Sequence, residues 1–330
     1  MASTNTASKL TQREAFSPNG KSVSSPKRWD LITIEHLSTD IILHLLERSD
    51  YYVEFLQGAG PFQKWKLLEG RTIANLFFEP STRTRTSFEL AERRLGADVT
   101  TLTPAVSSLT KGESVLDTVH VLESMKVDAF VVRHAVAGVP QFLSERLPSH
   151  VHVINAGDGV HEHPTQALLD AAELRSALGN LSGKQIAIVG DILHSRVARS
   201  NAWLLKKLGA TVTFVAPETL LPRGAASVFG VEATNRLDDV LGMADAIMML
   251  RIQLERQARG FFPNLEEYRE QYGMTPERMA RSNAYIMHPG PINHGTELEM
   301  ESAYGARSLV LQQVKRGVAV RMAVMEWIFN

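Results

Sequence analysis

The 330-residue sequence contains no cysteine, which excludes disulfides, thiolate metal sites and a cysteine nucleophile. No apolar run approaches the roughly 18 residues of a membrane span, and the N-terminus lacks the apolar core of a signal peptide. We therefore expect a cytoplasmic protein. The formal net charge is −1, so the chain lacks the basic excess of a general nucleic-acid or membrane-surface binder. Any basic cluster is expected to be local and to bind a small ligand.

Length and composition predict two globular domains. Hydrophobic residues make up 44% and charged residues 22% of the chain, which is ordinary for a soluble globular protein. A length of 330 residues is large for a single core. Residues 1–28 are polar and contain few apolar side chains, so we interpret them as a mobile tail. We place the boundary between the two domains near residues 164–183.

Strand-like and helical patterns alternate along the chain. Apolar stretches typical of strands occur at residues 71–78, 97–102, 128–132, 151–155, 185–189, 211–215, 244–250 and 284–287. Helical patterns occur at residues 40–55, 88–95, 117–125, 163–178, 197–208 and 309–329. This alternation predicts parallel α/β sheets, in which ligands bind beyond the carboxyl ends of the strands. On the last helix, the expected packing positions are Leu309, Val314, Val318, Met322 and Met325.

The most specific motif is the sequence EPSTRTRTSFE at residues 79–89, between a strand and a helix. A helix start already offers unpaired N–H groups and the positive end of the helix dipole. Hydroxyl donors and arginine guanidinium groups at this position predict a site for a tetrahedral oxyanion such as phosphate. The alternative is a Ser/Thr-rich helix cap with solvated arginines. The motif contains no glycine, so it is not a P-loop.

Further candidate residues follow other strands. Arg133 and His134 end an apolar strand, where they could line a site or only cap the sheet. His163 and Gln166 lie one helical turn apart on the same face, after a Gly-Asp-Gly turn. This position favours a functional role, because binding groups collect on such loops. Lys111 lies on a polar loop, where a solvated charge is the alternative.

The usual cofactor signatures are missing. Residues 190–196 follow a strand but lack the pattern G-x-G-x-x-G, so we expect no dinucleotide site. Aspartate and histidine residues show no metal-ligand spacing, so we expect no metal. For the charged residues at 251–256, a mixed-charge surface without a binding role is one interpretation.

In combination, these motifs resemble a known family. Residues 79–89, the loop at 111–113, Arg133 and the sequence HPTQ at 163–166 are similar to the carbamoyl-phosphate half shared by the aspartate and ornithine carbamoyltransferases. The sequences RIQLER at 251–256 and MHPGP at 287–291 resemble the aspartate branch of that family. The ornithine branch typically has a cysteine in a His-Cys-Leu-Pro segment there. The sequence is therefore identified as a catalytic chain of the aspartate branch.

The resemblance implies an α/β fold of two doubly wound parallel-sheet domains, joined by long helices, with the active site in the cleft between them. Residues 29–170 are expected to form a carbamoyl-phosphate-binding domain, on which a C-terminal helix at 309–330 packs back. Residues 171–308 are expected to form an aspartate-binding domain. The implied assembly is a homotrimer with shared active sites, for which regulatory or dihydroorotase-like chains are candidate partners in a larger complex.

The implied reaction transfers the carbamoyl group of carbamoyl phosphate to the α-amino group of L-aspartate. Its products are N-carbamoyl-L-aspartate and phosphate, and it is an early step of de novo pyrimidine (UMP) biosynthesis. The reaction needs no redox step, covalent enzyme intermediate or cofactor. The alternatives are a carbamoyltransferase for another amino acid and a non-catalytic anion-binding subunit of the same fold.

The resemblance also assigns roles to residues of this sequence. The expected phosphate ligands are Ser81, Thr82, Arg83 and Thr84. The groups expected around the carbamoyl moiety are Arg133, His163 and Gln166. The backbone of Gly290 and Pro291 is expected to close over the substrate; many relatives have leucine at the first position, so that side chain is not expected to be essential. His163 is expected to act as a neutral hydrogen-bond donor, with the departing phosphate as the base.

The remaining expected site residues bind aspartate or support the site. The groups expected to hold the two carboxylates of aspartate are Arg196, Arg251 and Gln253. Lys111, together with Ser107 or Ser108, is expected to reach the site of a neighbouring subunit. Glu79 is expected to orient Arg196, and Glu255 and Arg256 to form an ion-pair network. The residues expected to contact the reacting groups are Arg83, Thr84, Lys111, Arg133 and His163.

Overall fold

The computed structural model describes residues 28–58, 64–103, 113–252 and 264–330. The strands are β1 Thr72–Phe77, β2 Asp98–Leu102, β3 Ala129–His134, β4 His152–Asp158, β5 Gln185–Val189, β6 Thr211–Val215, β7 Glu232–Thr234, β8 Ala246–Met249 and β9 Tyr285–Met287. The helices are α1 Thr39–Leu56, α2 Thr82–Leu95, α3 Val115–Ser124, α4 Val139–Ser144, α5 Pro164–Leu178, α6 Arg196–Lys207, α7 Ala225–Phe229, α8 Leu265–Tyr272, α9 Pro276–Arg281, α10 Met300–Ala303 and α11 Val310–Phe329. The predicted polar tail lies outside the described residues, except for Arg28.

The strands form two parallel sheets. The first sheet has the order β2-β1-β3-β4, and the second has the order β7-β6-β5-β8-β9. In each sheet the chain starts at an inner strand and builds outward in both directions. The switch of direction falls between β1 and β3 in the first sheet and between β5 and β8 in the second. Such switch points leave a crevice at the carboxyl ends of the strands, where ligands bind.

Two long helices connect the sheets. Helix α5 leads from β4 of the first sheet to β5 of the second, and its residues from Ala167 to Leu174 are all buried. Helix α11 packs against α1, α2 and α5. The two doubly wound parallel sheets and the long helices confirm the predicted fold class. Among the described residues, no helix has the length and apolar character needed to cross a membrane.

The predicted elements agree with the structure except at short or irregular segments. The eight predicted strands are all present, and their ends differ from the predicted ones by at most three residues. The short elements α4, α7, α8, α9, α10 and β7 were not predicted. The prediction that Val314 packs in the core is wrong, because its side chain is 53% exposed and faces a cavity. Met322 and Met325 are buried as predicted. The domain boundaries stay predictions.

Helix α2 buries an acidic side chain against the first sheet. Glu92 is fully buried, and its Oε2 accepts a hydrogen bond of 2.7 Å from Asn75 Nδ2. Its Oε1 has no hydrogen-bond partner within the described residues. Burial raises the pKa of Glu92 to about 8, partly offset by the Asn75 hydrogen bond. The carboxyl group is therefore largely protonated at neutral pH.

This burial predicts a pH-dependent effect of Glu92→Gln. The folded pKa lies above the ordinary value of 4.5, so the proton on Glu92 stabilises the fold fully below pH 4.5. That contribution is lost as the pH rises toward 8. We expect Glu92→Gln to raise the free energy of unfolding by about 1–3 kcal/mol at pH 8–9, and by much less at pH 5. Denaturant unfolding across this pH range measures the difference.

The matched control is Glu47→Gln on the exposed face of α1. This substitution should leave the pH dependence of the free energy of unfolding unchanged. A Glu92→Gln profile parallel to that of the unsubstituted chain would contradict the assignment of a buried, protonated carboxyl group.

Candidate active site

A cavity of about 940 Å³ is lined by residues that follow the strands of both sheets, together with part of α11. Its walls carry the arginines Arg83, Arg133, Arg196, Arg251 and Arg321. Glu79 is the single acidic side chain among the described residues that line it. The cavity is therefore strongly positive and suited to small anions.

The start of α2 forms one wall. Ser81 is the N-cap residue, with extended backbone (φ −161°, ψ 97°), and its side chain makes no capping hydrogen bond. The hydroxyl group is thus not used by the helix, which argues against the capping alternative. Ser81, Thr82, Arg83 and Thr84 all line the cavity. This wall combines helix-terminal N–H groups, hydroxyl groups and one guanidinium group, which together favour an oxyanion.

Glu79 connects arginines of the two sheets. Its Oε1 accepts hydrogen bonds from Arg133 Nη2 at 3.0 Å and from Arg196 Nη2 at 2.7 Å. Its Oε2 accepts a bond of 3.1 Å from Arg196 Nη1. Arg133 ends β3, and Arg196 begins α6. One carboxylate therefore fixes the orientation of two guanidinium groups that come from different sheets.

Gly157 gives these guanidinium groups the room they need. Its φ of +116° lies in the region that favours glycine. A Cβ at this position would lie 3.0 Å from Arg133 Nη1 and 3.1 Å from Arg196 Cζ. A larger residue would therefore displace both arginines.

His163 lies at the N-terminus of α5, with a buried side chain. Its backbone N–H donates to Ser200 Oγ at 2.8 Å, and the Ser200 hydroxyl donates to Glu162 Oε2 at 2.9 Å. Burial, together with the charges of Arg133, Arg196 and Arg321, holds the pKa of His163 well below its usual range. The imidazole is therefore neutral at neutral pH.

A buried carboxylate orients the neighbouring amide. Asp170 Oδ1 accepts hydrogen bonds from Gln166 Nε2 at 2.9 Å and from Gln313 Nε2 at 2.7 Å. Its Oδ2 accepts a bond of 2.8 Å from Asn201 Nδ2. Burial raises the pKa of Asp170 to about 6, while these amides stabilise the ionised form. Sequence reasoning missed Asp170, although its spacing of four residues from Gln166 on one helix was a usable signal.

The segment after β9 forms the roof of the cavity. His288 N–H donates to Gln313 Oε1 at 3.1 Å, and Gly290 N–H donates to His288 Nδ1 at 2.8 Å. Gly290 has φ +70°, and a Cβ there would lie 2.9 Å from Arg83 Cζ. The Gly290–Pro291 peptide bond is cis. The chain therefore passes directly against the Arg83 guanidinium group.

Arg251 follows β8 on the opposite wall. Glu297, which is fully buried, accepts hydrogen bonds from Ile252 N at 2.8 Å and from Asn293 N at 3.0 Å. It thereby ties the Arg251 segment to the roof, and sequence reasoning did not identify it. Burial and then the charge of Arg251 lower the pKa of Arg83, so these two cations repel each other across the cavity.

The structure brings together the predicted residues that it describes. The following predicted positions all line the cavity: Glu79, Ser81, Thr82, Arg83, Thr84, Arg133, His163, Gln166, Arg196, Arg251, Gly290 and Pro291. The remaining predicted positions lie outside the described residues: Ser107, Ser108, Lys111, Gln253, Glu255 and Arg256. Within the described ranges, no three His, Asp or Glu side chains are grouped as a metal site would require.

Two family models cover most of the chain. Residues 29–176 match the carbamoyl-P binding domain of aspartate/ornithine carbamoyltransferase, and residues 182–328 match its Asp/Orn binding domain. The chain belongs to the aspartate/ornithine carbamoyltransferase family.

Individual family members agree with this assignment. The aspartate carbamoyltransferase catalytic subunit of Desulfitobacterium hafniense is 50% identical over 300 residues, which are 90% of this chain and 95% of that protein. The catalytic subunit of M. jannaschii aspartate transcarbamoylase is 35% identical, with a TM-score of 0.77, over 91% of this chain and 97% of that one. Trypanosoma cruzi aspartate transcarbamoylase, solved with carbamoyl aspartate and phosphate, is 30% identical, with a TM-score of 0.79, over 92% and 96% of the two chains.

Because Glu79 bridges two arginines of the cavity, we expect its replacement to lower thermal stability in a way that depends on the anions present. Glu79→Gln leaves two guanidinium groups close together without a carboxylate, so we expect a Tm lower by roughly 5 °C or more in dilute buffer. Inorganic phosphate should then raise the Tm of the variant more than that of the unsubstituted chain, because an anion can take the place of the carboxylate. Thermal unfolding across a phosphate titration measures both effects.

The control variant is Asp128→Asn. Asp128 pairs with a single arginine, Arg71 at 2.8 Å, so its loss leaves no two guanidinium groups close together, and it lies away from this cavity. An equal phosphate response of the two variants would argue against the bridging role of Glu79.

Proposed function

We propose that this chain transfers the carbamoyl group of carbamoyl phosphate to the α-amino group of L-aspartate, giving N-carbamoyl-L-aspartate and phosphate. The observation that carries the proposal is one cavity with two sets of cationic groups. Arg83 and Arg133 lie on the side of the first sheet, and Arg196 and Arg251 on the side of the second. Two anionic substrates can therefore be held together. The relatives named aspartate carbamoyltransferase support the same assignment.

Carbamoyl phosphate binds at the start of α2. The phosphate accepts hydrogen bonds from Ser81, Thr82, Arg83 and Thr84, at the positive end of the helix dipole. Since the Ser81 hydroxyl makes no capping bond, it is available to the ligand. The roof at Gly290 and Pro291 closes the cavity above Arg83 and excludes water from a labile substrate.

Donors at the carbamoyl group stabilise the charge that develops there. As the reaction proceeds, negative charge grows on the carbamoyl oxygen, which Thr84, Arg133 and His163 can stabilise as hydrogen-bond donors. His163 acts in its neutral form, because its pKa lies well below the usual range. The guanidinium group of Arg133 is oriented by the hydrogen bonds that it donates to Glu79 and, at 3.2 Å, to the carbonyl of Ala156. The donors are thus arranged before the substrate arrives.

Bond formation and bond cleavage take place at the carbamoyl carbon. The neutral α-amino nitrogen of aspartate donates its electron pair to this carbon, and the carbonyl electrons move onto oxygen. When the carbonyl re-forms, the bond from carbon to the bridging oxygen breaks, and phosphate departs with that electron pair. The proton lost by the amine goes to the departing phosphate. The protein contributes mainly position and electrostatic stabilisation.

Aspartate binds on the side of the second sheet. Arg196 and Arg251 pair with its two carboxylates, and Gln253 adds a polar contact. Guanidinium groups suit this task, because their fork matches the two oxygens of a carboxylate. Glu79 keeps Arg196 in place at 2.7 Å.

Residues 29–170, with the helix at 309–330, then form the carbamoyl-phosphate-binding domain, and residues 171–308 form the aspartate-binding domain. The reaction belongs to pyrimidine biosynthesis in the cytoplasm.

The direct test is release of phosphate and formation of product when carbamoyl phosphate is mixed with L-aspartate, L-ornithine or other amino acids. We expect phosphate release from carbamoyl phosphate only when the added amino acid is L-aspartate. Release with a different amino acid would identify another acceptor. Binding of carbamoyl phosphate with no release in any mixture would indicate a non-catalytic subunit.

Removal of Arg251 should separate the two substrates. We expect Arg251→Ala to raise the KM for aspartate by about 10- to 100-fold, because a charge-assisted pair contributes about 1.5–3 kcal/mol. Equilibrium binding of carbamoyl phosphate should change little. The control is Arg269→Ala, which removes the same charge from the second-sheet region at the Arg269–Glu299 pair, outside the cavity. Equal loss of affinity for both substrates would argue against the role of Arg251.

The assembly we propose is a homotrimer in which Lys111 and Ser107 or Ser108 of one subunit complete the site of the next. Arg83→Ala and Lys111→Ala chains should each be nearly inactive. When the two chains are mixed and reassembled at equal ratio, activity should return at about one interface in four. In a randomly assembled closed ring, that is the fraction of interfaces that join an intact Arg83 to an intact Lys111 of the next subunit. Mixed trimers without activity, with subunit exchange verified by mass, would exclude a shared site.

A further inference from the structure

Arg321 is an unusual residue of the cavity wall, because it lies in the middle of α11 and is buried. Its side chain is 3% exposed and borders the cavity. Its Nη1 donates to the carbonyl of Gly317 at 2.9 Å. Its guanidinium carbon lies 4.8 Å from the centre of the Phe88 ring on α2. The charge is thus held between α11 and the helix whose start forms the proposed phosphate site.

No carboxylate pairs with Arg321 within the described part of the chain, and its buried Nε has no hydrogen-bond partner there. Two acidic residues, Asp170 and Glu92, are near enough to raise the pKa of Arg321. Asp170 raises the pKa of Arg321, but its oxygens are bonded to side-chain amides and make no ion pair with the guanidinium group. Glu92 is largely protonated at neutral pH. Burial, and then the charge of Arg133, lower the pKa of Arg321 to about 9.

A second buried arginine on the same helix shows how a buried guanidinium charge is usually balanced, namely by carboxylates. Arg316 is 6% exposed, and it pairs with Asp50 at 2.5 Å and with Glu173 at 3.3 Å. A buried charge without such a pair destabilises the fold, since its loss of hydration is not offset. The described contacts of Arg321 therefore offset less of this loss than the two ion pairs of Arg316 do. A negatively charged ligand in the adjoining cavity would offset more of it.

The backbone of α11 is also adapted to this side chain. Gly317 lies one helical turn before Arg321, and a Cβ there would come within 2.7 Å of Arg321 Nη1. Glycine in a helix interior is less favourable than alanine by about 1 kcal/mol. Its presence leaves space for the guanidinium group to fold back against the helix while still bordering the cavity.

We propose that Arg321 is an additional anion-binding residue of this cavity, and that the phosphate group of the bound substrate balances its buried charge. The residue acts on the phosphate through its electric field. The identity of the anion as a substrate phosphate rests on the proposed function. The binding of a phosphate-type anion does not.

The test compares Arg321→Met with Arg316→Met, using calorimetric titration with inorganic phosphate and thermal unfolding in phosphate-free buffer. Arg321→Met should bind phosphate at least about tenfold more weakly, while its Tm without phosphate stays equal to or above that of the unsubstituted chain. Arg316→Met should show the opposite result, with a lower Tm and a phosphate Kd within about twofold. Arg321→Lys, which keeps the charge, should recover most of the affinity.

An unchanged phosphate Kd for Arg321→Met overturns the proposal, whatever its Tm. If Arg321→Met does not fold, Gly317→Ala decides the question. Alanine favours the helix, but its Cβ displaces the guanidinium group, so weaker phosphate binding by a stable protein supports the proposal and unchanged binding overturns it. Phosphate binding that depends on Arg321 in a chain without carbamoyl transfer would overturn the proposed function and leave this inference standing.

Discussion

The arrangement of the site depends on the carboxylate of Glu79. This side chain follows β1 and binds one arginine at the end of β3 and another at the start of α6. The switch points of the two sheets thereby face one cavity with their cations already oriented. Such a partly buried ion pair stabilises a structure only when its geometry offsets the loss of hydration. Here both carboxylate oxygens are bonded, which meets that condition.

Burial, and then the excess of positive charge in the cavity, explain the state of its histidines. His163 and His288 are both buried beside arginines, which keeps the pKa of each low, at about 3 for His288. Burial and the positive field therefore both favour the uncharged imidazole, which can still donate a hydrogen bond. The repulsion between Arg83 and Arg251 falls when an anion lies near them, so ligand binding should stabilise the folded chain.

Much of the fold could be predicted from the sequence because strands buried on both faces appear as continuous apolar runs, as at residues 128–132 and 185–189. Helices such as α7 and α10 have only five and four residues, too few for a periodic pattern. Val314 was misassigned because its spacing on α11 resembles that of core positions, although its face of the helix borders the cavity.

The site could be predicted in part, for a related reason. Residues 81–84 are contiguous and form a recognisable motif, and Arg133 and Arg251 stand at strand ends. The buried partners Glu297 and Arg321 carry no such signal, and Asp170 carries only its helical spacing of four residues from Gln166. Asp170 and Gln313, for example, are 143 residues apart and meet only in the folded chain. For the predicted positions outside the described residues, such as Lys111, placement stays a prediction.

The contact between Asp170 and Gln166 has a consequence for substrate selection. The amide nitrogen of Gln166 uses one of its two N–H groups on Asp170, and the amide oxygen can then accept a hydrogen bond from a ligand in the cavity. An oxygen acceptor favours a ligand that presents an N–H group there and disfavours one that presents a methyl group, because the amide oxygen would then lose its partner in the closed cavity. In the proposed reaction, the pair would therefore favour carbamoyl phosphate over acetyl phosphate, two molecules of nearly the same size, through a carboxylate that touches neither of them.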